Sequence, residues 1–158
     1  HMDGRQVTVW SVEERRRLHQ FVLEGRLLAA AFNPDGGSLV TADGEGNLEY
    51  RSTIKLWSLD TGEGRLIAQF LGSPTHFSFS PDGSRLVVGG SSGDIRVCDA
   101  ETGKEVMKFP AHKSAVGTLA YYPDGSRILS GCWDGTARVW DATTGEELLS
   151  IVVSRWFE

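Results

Sequence analysis

The side chains with most chemistry to offer in this 158-residue chain fall into three short groups. Gly89-Gly90-Ser91-Ser92-Gly93 fits the G-x-S-x-G expression of a nucleophile elbow, which presents a serine on a sharp turn between a strand and a helix. The residues after it, Asp94 to Asp99, alternate apolar and polar side chains and read as another strand. The expression therefore describes a Gly/Ser hairpin turn, and no hydrolase follows from it. Asp43, Glu45, Asn47 and Glu49 put oxygen ligands at alternate positions, as a calcium loop does. Leu48 stands where such a loop needs glycine and no helices flank it, so an acidic surface loop is expected. Cys98 and Cys132 form neither a C-x-x-C pair nor a dense even framework. They read as structural thiols of a reducing compartment, and neither a metal nor a cofactor is expected.

Composition narrows the classes further. With 40% hydrophobic and 23% charged residues the chain is an ordinary globular sequence, and its net charge of −5 argues against a nucleic-acid partner, which needs clustered Lys and Arg. The basic run Arg15-Arg16-Arg17 follows Glu13-Glu14 directly and reads as a solvated strand edge of mixed charge. No apolar run approaches the length of a membrane helix and no signal peptide opens the chain, so the expected location is cytoplasmic. His1-Met2 precede text that starts in the middle of a repeat, as in an excised or split fragment.

That repeat organises everything else. Pro34-Asp35-Gly36, Pro81-Asp82-Gly83 and Pro123-Asp124-Gly125 recur at intervals of 47 and 42 residues. Trp10, Trp57, Cys98 and Trp140 each close a short alternating run, and Thr61-Gly62, Thr102-Gly103 and Thr144-Gly145 follow in the same phase. Between these markers the period is two: Phe77 and Phe79 alternate with Ser78 and Ser80, Ala137 and Val139 with Arg138. Each unit reads as four short antiparallel strands divided by turns, since Pro sets φ for a turn and Asp-Gly supplies its cap and its positive-φ residue.

Residues 131–141, Gly-Cys-Trp-Asp-Gly-Thr-Ala-Arg-Val-Trp-Asp, closely resemble the WD-repeat family, ending in Trp140-Asp141. The resemblance covers essentially the whole chain and implies β-propeller blades of four strands each. It also implies a polar network in the best-formed blade, falling on His112, Ser130, Asp134 and Trp140. Although that quartet contains Ser, His and Asp, in this family it is a structural clip without an oxyanion hole. The second complete unit has Val88, Ser92 and Cys98 at matching places. The first has Thr41, Glu45 and Trp57, with Glu24-Gly25 where the family has Gly-His, so only the last blade should carry the full network.

The fold class expected is thus all-β: an arc of three four-stranded blades plus an N-terminal half-blade. The half-blade covers 3–24 and holds a third and a fourth strand; the first full blade covers 25–72 with an insertion at 47–52. The second covers 73–110, and the third with its tail 111–158. Fourteen strands in an open arc leave two blade faces wet, so completion by self-association is expected, with a homodimer favoured. The function expected is a non-enzymatic scaffold for a protein or peptide partner; the alternative is a sensor or regulatory propeller fragment of a larger signalling enzyme. The family's partner-binding rim falls here on Arg26, Leu28, Ser73, Thr75, Ser91, Ala115, Gly117 and Trp133. Trp133 is the natural anchor, unless it packs on a neighbouring blade.

Overall fold

A computed structural model describes residues 5–44 and 51–152. Fourteen strands and no helix are found among the described residues. β1 (Gln6–Ser11) and β2 (Arg16–Val22) form a two-stranded sheet. Three four-stranded sheets follow in strict chain order. The first holds β3 (Arg26–Phe32), β4 (Ser38–Gly44), β5 (Arg51–Ser58) and β6 (Gly64–Leu71), and the second β7 (Pro74–Phe79), β8 (Arg85–Gly90), β9 (Asp94–Asp99) and β10 (Glu105–Pro110). The third holds β11 (Val116–Tyr121), β12 (Arg127–Cys132), β13 (Thr136–Asp141) and β14 (Glu147–Val152). All neighbouring strands are antiparallel meanders, and the first strands β3, β7 and β11 lie side by side where the sheets converge. This is a partial β-propeller of three blades and a half-blade.

Turn chemistry sets the strand lengths. Gly36, Gly83 and Gly125 of the Pro-Asp-Gly turns take φ of +72°, +72° and +73°, a region that costs glycine nothing and other residues roughly 1–2 kcal/mol. Asp82 and Asp124 cap the same turns by accepting the backbone N–H of Ser84 and Ser126 at 3.0 and 2.9 Å. Between the turns, alternation places one apolar row of each sheet against the next sheet. Val9, Phe21 and Leu23 of the half-blade meet Leu39 and Trp57 of the first blade. Val40 and Ile54 meet Phe79, Leu86 and Cys98, and Val87 and Ile95 meet Val116, Ile128 and Trp140. The core is therefore three seams in series, each made by the face of one blade and the back of the next.

The insertion expected at 47–52 ends earlier than its sequence suggests. Arg51 and Ser52 are the first residues of β5, paired with Leu71 and Phe70. Ser52 can be buried there because its hydroxyl donates to the Gly72 carbonyl at 2.7 Å, which leaves no polar group unpaired. Glu45 and residues 47–50, and with them most of the acidic stretch that resembles a calcium loop, lie outside the described residues.

Candidate functional site

The third blade draws its polar side chains into one chain of hydrogen bonds. His112 comes from the connection before β11, Ser130 from β12, Asp134 from the β12–β13 turn and Trp140 from β13. Trp140 Nε1 donates to Ser130 Oγ at 2.8 Å, and Ser130 Oγ lies 2.7 Å from His112 Nε2. On the other side of the imidazole, Nδ1 lies 3.1 Å from Thr136 Oγ1, and the Thr136 hydroxyl donates to Asp134 Oδ1 at 2.5 Å. His112 Nδ1 and Asp134 Oδ2 are 3.7 Å apart, so Thr136 carries the closer link between them.

Proton directions follow from the far end of this chain. An ionised Asp134 can only accept, so the Thr136 hydroxyl points at it and accepts in turn from His112 Nδ1–H. A neutral imidazole then has Nε2 free to accept from Ser130, whose oxygen takes the indole N–H. Burial works against charge on both groups. It lowers the His112 pKa below its ordinary value, a shift Asp134 only partly opposes. It also opposes the Asp134 carboxylate, but the hydroxyl and amide of Thr136 overrule it and hold the pKa down to about 2.

Chemically this leaves little to spend. Ser130 and the His112 side chain are fully buried, and each polar atom already has a partner, so Ser130 has neither access to a substrate nor a free base. Ligand atoms of His112, Cys132 and Asp134 lie within 4.8 Å of one another, which makes them a formal metal set. Cys132 nevertheless donates to the Ser114 carbonyl at 3.2 Å and accepts the Asp134 N–H at 3.3 Å, so binding a cation would cost bonds already made. Cys98 is further from reaction still, its thiol raised to about 11 by burial.

The other blades carry parts of the same arrangement. In the first, Trp57 Nε1 donates to Thr41 Oγ1 at 2.8 Å, while Asp43 Oδ2 accepts the Gly25 N–H at 2.8 Å. In the second, Val88 and Cys98 are apolar and buried together, and Ser92 is exposed on the turn. Thr136 is the member that sequence reasoning missed. A hydroxyl two residues after Asp134 is the pattern of a side chain bonding back into its own turn, and that was the available signal.

An open groove of about 730 Å³ between the second and third blades is lined by Asp82, Arg85, Tyr121 and Asp124. The Ser80 and Ser84 bonds hold Asp82 at about 2, and burial pushes Tyr121 up to about 12. Neither group exchanges a proton near neutrality, so no acid–base pair is built here.

With this geometry in place, comparison with known proteins is specific. Residues 103–141 match the family described as WD domain, G-beta repeat, and residues 38–119 match the anaphase-promoting complex subunit 4 WD40 domain. The chain belongs to the WD-repeat family. No curated protein matches this WD-repeat chain. Among solved structures it is similar to the computationally designed Ika8 protein, with 27% identity and a TM-score of 0.80 over 96% of this chain. It spans 45% of the length of that structure. Matching solved chains number 1510, so the fold by itself selects no function.

The WD-repeat rim is built from blade-by-blade pairs. Arg26 opposes Gly44, the Ser91 N–H donates to the Ser73 carbonyl while the Ser73 N–H donates to the Ser91 hydroxyl, and the Trp133 N–H donates to the Ala115 carbonyl at 3.2 Å. Trp133 itself is 82% exposed, with its Nε1 lying over Gly117; a side chain there would stand 2.9 Å from it. Two rim candidates turn inward instead. Leu28 packs against the core between the first and second blades, and the Thr75 hydroxyl sits between the Gly89 and Val116 carbonyls at 3.0 and 2.8 Å. Both lie inside the first strand of a blade, where alternation sends every second side chain into a seam.

Proposed function

We propose that this WD-repeat chain is a non-enzymatic, cytoplasmic scaffold that presents its rim to a protein or peptide partner and is completed by copies of itself into a ring, a homodimer being favoured. The observation that carries the scaffold reading is the Trp133 indole, bare on the rim of the one blade whose Ser, His and Asp are all spent on a structural network. A rigid, amphipathic side chain on a preorganised surface is where binding energy concentrates. Selection of displayed random peptides against the immobilised chain tests it. Peptides that bind should perturb Trp133 fluorescence and lose affinity at least tenfold for Trp133→Ala; binders indifferent to that change would count against the rim. Self-association is tested by light scattering over a concentration series, and a single-chain mass throughout would remove it.

A further inference from the structure

The two ends of the arc are the face and the back of a seam that the chain builds inside itself. In each seam the third-strand marker residue packs toward the preceding blade, and in the first and third seams an aromatic from that blade's fourth strand covers it. Phe21 lies on Trp57 with 4.5 Å between ring centroids, and Phe109 on Trp140 at 4.9 Å. Register fixes the equivalent positions at the ends. Val7, Ile54, Ile95 and Ala137 each stand three residues before a marker, and they pair with Phe21, Ala68, Phe109 and Ile151, so the position holds a large side chain in every case but the first full blade. Ile151 is therefore the cover residue of the third blade, and Trp10 is the marker residue of the half-blade.

Both are bare. Trp10 is 61% exposed whereas Trp57 and Trp140 are 8% and 4%, and Ile151 is 49% exposed where Phe21 is 3%. The surroundings agree as well. A bulge precedes Trp10 as it precedes Trp140, and Thr8 and Gln20 pair beside Trp10 in the way Arg138 and Ser150 pair beside Trp140. Leu149, in register with Val139, stands beside Ile151 as Met107 stands beside Phe109.

We infer that a second copy docks head to tail, the β13–β14 face of one chain covering the half-blade of the next and seating Ile151 on Trp10. This rests on the self-association proposed above and names its surface and direction. The contact is heterologous, because the two surfaces differ. It is also partial: among the described residues the half-blade has two strands, equivalent to a third and a fourth, so the join covers β13 and β14 while β11 and β12 face a slot two strands wide. Leu129 on β12, 38% exposed, lies in that slot and outside the contact.

The test compares solution masses by light scattering for the full chain, Ile151→Glu, Trp10→Arg, Leu129→Gln and an equimolar mixture of the first two variants, with circular dichroism to verify folding. The unsubstituted chain and Leu129→Gln are expected to show at least a twofold mass, and each blocked variant a single-chain mass. The mixture is expected to recover a twofold mass, because each variant keeps the surface the other lacks. Association that survives both blocking changes, or a mixture that stays at single-chain mass, overturns the head-to-tail seam while leaving self-association standing. A single-chain mass for the unsubstituted protein at every concentration overturns both. If a blocked variant does not fold, a chain carrying Trp10→Cys and Ile151→Cys, treated with a short bismaleimide, should give covalent oligomers in denaturing gels; monomer alone, as in the unsubstituted control, would overturn the seam.

Discussion

Ser130 holds two partners where Thr41, its counterpart in the first blade, holds one among the described residues. Trp140 and His112 both bond the serine, at 2.8 and 2.7 Å, and only Trp57 bonds the threonine. Losing a partner inside a protein leaves a desolvated donor or acceptor that costs about 1–3 kcal/mol. Ser130→Ala orphans two groups and should destabilise by about 2–4 kcal/mol, whereas Thr41→Ala should cost about 1–2 kcal/mol. Urea unfolding at fixed protein concentration reads the difference, and a Thr41 variant as weak as the Ser130 variant would mean that the imidazole contributes nothing.

Acid should act on the third blade first. The folded His112 pKa is lowered, so the unfolded chain binds that proton more readily. Stability from the neutral imidazole is then complete above the ordinary histidine value and is lost as pH falls below about 6.5 toward the folded pKa. Asp134 adds a second, lower window, since its stabilisation is present above about 4 and is lost as pH falls toward about 2. Melting temperatures between pH 7 and 5 should decline in the unsubstituted chain and decline less in His112→Gln. Equal slopes would place the titration elsewhere.

Phe21 helps hold the half-blade on the first blade, stacked on Trp57 and 3% exposed. Phe21→Ala opens a cavity at that seam and should cost about 3–5 kcal/mol. Because each seam joins only neighbours, hydrogen exchange should speed up in β1, β2 and β5 and stay unchanged in β13. Uniform loss of protection would show that the arc melts as one unit.

Two glycines of similar φ make a matched pair. At Gly36 a methyl group would meet nothing within 4 Å, so Gly36→Ala should cost only the left-handed backbone, about 1–2 kcal/mol. At Gly103 the same methyl would run into the Ile67 carbonyl of the preceding blade. Gly103→Ala should therefore cost clearly more, and equal denaturation midpoints would refute this account of the Thr-Gly turns.

Much of the architecture was legible because the repeat reports backbone chemistry directly. Pro-Asp-Gly marks turns whose glycines have positive φ, and alternation marks which side chains enter a seam. Environment was less legible than position. Trp10 carries the same marker as Trp57 and Trp140 yet is bare, because among the described residues its sheet has no second strand to supply a hydroxyl and no blade before it to supply a cover. Thr75 was placed on the rim by its match to the family's rim positions; only the register of β7 against β8, with β11 alongside, shows two carbonyls waiting for its hydroxyl. Thr136 was overlooked because the resemblance named four residues and the fifth lies within the turn of one of them.

The half-blade also exposes a backbone edge. β1 has β2 on one side and no neighbour on the other among the described residues, and by its equivalence to β5, β9 and β13 that free edge looks toward the line where β3, β7 and β11 converge. An unpaired row of N–H and C=O groups is a template for stray strands and for amyloid-like growth. Ring closure as proposed would enclose it and hide it from any folded chain diffusing outside, and the bulge between Val9 and Trp10 interrupts its regular spacing. Assembly would thus shield the chain from its own aggregation, with solubility at working concentration as much its product as any composite surface.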